Sequence, residues 1–94
     1  MEPRARRGEI WLVDLGMVQK TRPVLVMSIA FLDHERAVVS YVPRTTSVRN
    51  TRFEVEHLGR GFQPGVFDAQ GIDSVPAVKL LRNLENSTRE SSNV

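Results

Sequence analysis

Residues 9–28, EIWLVDLGMVQKTRPVLVMS, hold two short apolar runs separated by a break. Glu9–Leu15 is short, apolar and rich in β-formers, and reads as a first strand. Pro23–Ser28 is a continuous apolar run, the pattern of a strand covered on both faces. A proline at the head of a strand removes no ladder bond that the strand must make. Gly16 and the polar end of GMVQKT mark the connection as a turn between antiparallel neighbours. The fold therefore starts with a β-hairpin.

Outward from that hairpin the punctuation continues at strand intervals. Pro43, Gly59, Gly61, Pro64, Gly65, Gly71 and Pro76 divide the rest of the chain into short pieces. Arg36–Val42 reads as a third strand ended by Pro43. Thr51–His57 alternates, with Phe53 and Val55 on one face and Arg52, Glu54 and Glu56 on the other, and reads as a half-buried fourth strand. Val66–Gln70 and Val78–Leu81 supply a fifth and a sixth. Helix signals are thin. Residues 30–36 (AFLDHER) allow one turn, and residues 79–86 (KLLRNLEN) a short helix that Asn83 and Asn86 weaken. The pattern predicts a mainly β fold: a small antiparallel barrel of five to six strands, closed or half-closed, with little helix.

The 94 residues make one domain. Residues 1–84 are expected to form the barrel, and residues 85–94 (ENSTRESSNV) a flexible polar tail. The chain has no cysteine, which excludes disulfides and thiol chemistry. No signal peptide or membrane span is legible, so a cytoplasmic protein is expected. The formal charge is only +2, yet its distribution is uneven. Residues 1–52 carry nine basic and five acidic side chains, against four and six in residues 53–94. Nearly all the cations are arginine, whose planar fork suits phosphate. A polyanionic partner and a mere compositional bias both fit that excess.

Most catalytic chemistries find no support. Asp33, His34 and Glu35 are consecutive and not spaced to converge on a metal, and His57 ends a strand as an ordinary surface histidine would. There is no nucleophile elbow, and GRGFQPG lacks the Lys-Ser/Thr of a phosphate loop. No metal or cofactor is implied. What remains is Lys20-Thr21-Arg22-Pro23 at the start of strand two and Pro43-Arg44-Thr45-Thr46 at the end of strand three. In an antiparallel pair these two ends lie side by side, which brings Arg22 toward Thr45 at one rim. A cation and a hydroxyl there make a seat for a phosphodiester; on spacing alone, a surface arginine and a turn-capping threonine are the preferred reading.

These blocks carry a family likeness. Arg7-Gly8-Glu9-Ile10-Trp11, Asp14-Leu15, Thr21 to Val26, and Val42-Pro43-Arg44-Thr45-Thr46, in that order, resemble the MazF/PemK toxins. Phe53-Glu54-Val55 and Pro64-Gly65-Val66 with Gln70 extend the likeness to about residue 82. The resemblance implies an SH3-like barrel, a homodimer, and a toxin–antitoxin role. It implies a metal-independent, sequence-specific endoribonuclease acting on single-stranded RNA. The ribose 2′-hydroxyl would attack its own phosphate, leaving a cyclic phosphate and a 5′-hydroxyl. By motif match the catalytic pair falls on Arg22 and Thr45. RNA contacts are expected from Lys20, Arg44, Thr46, Arg49, Arg52 and Gln70, with Trp11 or Phe62 available to stack on a base. A cognate antitoxin with an acidic or amphipathic C-terminal segment would block the groove.

A guanidinium and a hydroxyl suit the extra negative charge of a phosphorane. Arginine is a poor base at neutral pH, and the base is not identified by any motif. The chain departs from the family in a short first loop, in Arg44 beside the threonine, and in a polar end where members carry an amphipathic helix. Two other readings keep the fold: a CcdB-like gyrase-poisoning toxin, and a catalytically inactive RNA-binding barrel.

Overall fold

The computed structural model describes residues 5–16 and 20–84. Seven strands follow one another: β1 Ile10–Asp14, β2 Thr21–Val26, β3 Val38–Thr45, β4 Glu54–His57, β5 Gly65–Asp68, β6 Asp73–Pro76 and β7 Leu80–Asn83. Two single 3-10 turns, Ala69–Gly71 and Ala77–Lys79, are the only helical pieces among the described residues. All pairings are antiparallel, in the order β4-β5-β3-β2-β1-β7, with β6 also paired to β3. The mainly β fold with little helix matches the expectation. Among the described residues there are seven strands, not five or six, and no pairing closes the sheet into a barrel. No helix among the described residues is long and apolar enough to cross a membrane.

β3 organises the rest. One edge pairs with β2, Val24 opposite Pro43 and Val26 opposite Tyr41. Along the other edge run first β5, opposite Arg44 and Thr45, and then β6, opposite Val38 to Tyr41. The turn Ala69–Gly71 interrupts that edge, and Gly71 lies so close to the Pro43 ring that a Cβ there would stand 2.9 Å from Pro43 Cγ. Val13, Val24, Val26, Val39, Tyr41, Val75, Ala77 and Leu80 form the main core, and Ile10, Val42 and Phe67 a smaller one.

The sequence reading shifts at several elements. β2 begins at Thr21, so Pro23 sits third in the strand and Arg22 is part of it. β3 does not end at Pro43 but runs on through Arg44 and Thr45, where β5 takes up the pairing. β4 buries neither face. Val55 is 63% exposed and Phe53 40%, while Glu54 and His57, from opposite faces, are half-buried. Residues 80–83 form β7 against β1 and not a helix. β6 carries Asp, Ser and Pro, which read as turn residues. It is tolerated because it lies on an edge and buries only Val75. The tail at 85–94 and the helix that family members carry there lie outside the described residues.

Candidate functional site

Two prolines open the site. The β2–β3 pairing stops at Val24–Pro43. Neither Pro23 nor Pro43 has an N–H to carry a ladder onward, so the strand ends are free to part. The same register continued by two residues sets Arg22 across from Thr45. Residues opposed in register share a face. Arg22 is held in place by β1, where it pairs with Val13. Thr45 is held by β5, where it pairs with Val66. Arg22 and Thr45 line one cleft of about 350 Å³ with Thr46, Ser47 and Phe62. They line a second of about 200 Å³ with Arg49, Glu54 and Asp68. Arg22 is thus the wall between neighbouring hollows, and Thr45 stands in both.

The hydroxyl of Thr45 has a defined orientation. Its Oγ1 accepts from the Ser47 N–H at 3.0 Å, so its own proton is left for a ligand. The loop that follows is gathered by one carboxylate. Glu54 accepts from the backbone N–H groups of Arg49, Asn50 and Thr51, at 2.8–3.3 Å. Asn50 adopts a left-handed φ of 61° to make this possible. That wrapping sets Arg49 at the edge of the cleft.

Arg44 is held by the protein. It is only 5% exposed, and its Nε donates to His57 Nδ1 at 2.9 Å. Its Nη2 donates to the carbonyls of His57 and Gln63, and its guanidinium lies 4.9 Å from the centre of the Phe62 ring. His57 in turn packs against Phe62 and Phe67. Burial lowers the Arg44 pKa. Burial first, and the charge of Arg44 second, lower that of His57. Because Nδ1 accepts a hydrogen bond, His57 is neutral here with its proton on Nε2. Arg44 thus lines the cleft beside Arg22 and Thr45 while its Nε and Nη2 brace the protein, which leaves Nη1 with donors that no group among the described residues takes.

Of the remaining expected residues, Thr46 and Arg49 stand at the cleft walls. Lys20 is exposed at the hairpin end, with φ of 56°. Arg52 lies over Phe53, 5.2 Å from its ring centre. Gln70 is exposed on the 3-10 turn, where its N–H donates to the capping Asp68 Oδ1. None of these three lines the hollows beside Arg22. Trp11 packs against the main core and donates to Glu9 Oε1 at 2.9 Å, so it is not offered to a base. Sequence reasoning passed over Ser47, Asp68 and Tyr41 as site residues. Ser47 follows the Pro43–Thr46 block directly, and that adjacency was the available signal. Asp68 and Tyr41 come to Arg22 only through the pairing of β3 with β5 and β6, which no local pattern shows.

Comparison with known proteins decides the family. Residues 6–93 match the model of the PemK-like, MazF-like toxins of type II toxin–antitoxin systems. The chain belongs to this family. Among solved structures, the Mycobacterium tuberculosis toxin MazF-mt6 is similar at 25% identity and a TM-score of 0.66, over 89% of this chain and 86% of that one. An endoribonuclease in complex with its cognate antitoxin, from a mycobacterial species, has the same fold at 22% identity and a TM-score of 0.66, over 96% and 86%. No curated protein matches. The PemK/MazF-like toxin described here thus shares the MazF-like fold across nearly its whole length.

Proposed function

We propose that this PemK/MazF-like toxin is a sequence-specific endoribonuclease that cuts single-stranded RNA by internal transesterification. The observation that carries this reading is the convergence of Arg22 and Thr45 on one cleft from two strands, each fixed by a further neighbour. The scissile phosphate sits between them. The ribose 2′-hydroxyl loses its proton and attacks phosphorus, the P–O5′ bond breaks, and the leaving 5′-oxygen takes a proton from water, so that the products are a 2′,3′-cyclic phosphate and a 5′-hydroxyl. Negative charge on the phosphorane meets the Arg22 guanidinium and the free proton of Thr45. Removing such a donor typically lowers turnover about 10²- to 10³-fold.

The 2′-hydroxyl proton needs an acceptor. Neither histidine serves. His57 faces Arg44 through Nδ1, and His34 sits on an exposed turn away from the cleft. Glu54 is committed to three backbone N–H groups. Asp68 shares the hollow with Arg22 and Thr45, and only one of its oxygens is used, by Gln70 N–H. Asp68 is therefore assigned as the base. Thr46 and Arg49 position the strand.

The RNA substrate places the toxin in the cytoplasm, acting as a homodimer. The cognate antitoxin, through an acidic or amphipathic C-terminal segment, competes for the arginine-lined cleft. The direct test is incubation of purified protein with single-stranded RNA in EDTA, beside Arg22→Ala. Cutting by the first alone, with 5′-hydroxyl ends, is the expected result. RNA bound but left whole by both proteins contradicts it and favours an inactive binding module.

A further inference from the structure

On the far side of Arg22 from Thr45 lies another cleft, of about 530 Å³. Tyr41 and Asp73, partners across β3 and β6, form its floor and edge. Asp14 from the end of β1 and Asp68 from the end of β5 close it, with Arg22 as the shared wall. Tyr41 is 6% exposed, its body packed in the main core. Its hydroxyl makes no hydrogen bond among the described residues. Yet no fully buried side-chain polar atom among them lacks a partner. The hydroxyl must therefore open into the cleft. Burial and Asp73 raise its pKa, and Arg22 opposes them. It keeps its proton at neutral pH and is a ready donor.

The donors and acceptors decide what fits. Asp14 and Asp73 each use one oxygen on a nearby backbone N–H, of Gly16 and Ser74. The second oxygen of each is left as an acceptor. Carboxylates outnumber the cations Arg22 and Lys79 by three to two, so the cleft does not favour phosphate. Among the described residues no three metal-ligating side chains stand together, so it does not favour a cation either. An uncharged, planar group with amino hydrogens and a ring acceptor satisfies both kinds of partner. A nucleobase bearing an exocyclic amine does so. The amine donates to a carboxylate, and the Tyr41 hydroxyl donates to the ring nitrogen beside it. Uracil puts a carbonyl oxygen where cytosine has its amine, and would face the carboxylate lone pair to lone pair.

We propose that the Tyr41–Asp73 cleft is a base-reading subsite, which takes an amino-bearing base adjoining the phosphate at Arg22 and rejects uracil. This rests on the RNA reading given above, since the base is located by the phosphate. The test is a randomised single-stranded RNA library cut by wild type, Tyr41→Phe and Asp73→Asn, with the new ends sequenced. Tyr41→Phe keeps the ring in the core, and thermal melts verify both folds. The expected result is at least about tenfold depletion of uracil at one nucleotide adjoining the cut. Both variants relax that depletion. No depletion of uracil at either adjoining nucleotide, or depletion that both variants keep, overturns the subsite. A parallel arm uses uncleavable 2′-O-methyl oligocytidine and oligouridine, read by fluorescence anisotropy. Cytidine preferred by wild type and not by the variants upholds the subsite even where no RNA is cut, so that only the nuclease reading falls. Equal binding of the two by wild type sinks the subsite.

Discussion

Arg44 and His57 link the site to the stability of the fold. Folded His57 holds a proton less tightly than the unfolded chain does, through burial and through Arg44. The unfolded chain gains its proton first as pH falls through about 6.5. This group's contribution to stability is therefore full above that pH, and is lost as pH drops from there to the lower folded value. We expect the melting temperature to fall on acidification from pH 7.5 to 5.5, and to fall less in His57→Gln. Equal falls in both proteins would contradict the coupling. At Thr45, replacing the hydroxyl by a methyl in Thr45→Val should leave the melting temperature near that of wild type. It should lower RNA cleavage about 10²- to 10³-fold, while Thr45→Ser keeps most of the activity in the same gel assay.

At the scale of elements, the close approach of β5 to β3 sets the cleft. A Cβ on Gly65 would come within 2.6 Å of the Thr45 carbonyl oxygen and 2.9 Å of Arg44 Nη1. The first contact is backbone and has nowhere to yield. Gly65→Ala should therefore cost about 1–3 kcal/mol in chemical denaturation and lower cleavage by displacing Thr45. Unchanged stability would show that β5 sits further off. Glu54→Ala removes the acceptor for three N–H groups and should release the 47–53 loop, read as faster amide exchange at Arg49 and Asn50. The strands themselves were only partly legible. The first hairpin could be read because apolar runs and a glycine turn are local. β4 could not be oriented. Its alternation promised an apolar inner face, but Phe53 and Val55 stay exposed, and the strand is tied in instead through Glu54, which gathers a loop, and His57, which meets Arg44. β6 was invisible because an edge strand that buries one valine has no pattern to show.

For the molecule as a whole, motif order carried more than composition did. The blocks around Arg22 and Thr45 announced the family. Their juxtaposition follows from antiparallel pairing, a long-range consequence of a local reading. The bracing of Arg44 by His57 and Gln63 was not legible, because sequence shows a charge and not which way it points. The carboxylates and Tyr41 around Arg22 needed tertiary pairing to appear. If Arg22 and Arg49 both meet phosphates, affinity for an uncleavable single strand should fall with salt. The log–log slope should be about −0.7 per phosphate neutralised, and Arg49→Ala should make it shallower by about that amount. A slope unmoved by the substitution would remove Arg49 from the groove.

The shared pocket of Arg22 and Thr45 is tested most directly by a double-mutant cycle on single-turnover RNA cleavage, with Arg22→Ala, Thr45→Val and both together. Groups that act on one phosphorane lose their effect as a unit, so the double variant should be little slower than the slower single one. If the two losses instead multiply in full, the side chains work at separate places, and the common pocket does not exist.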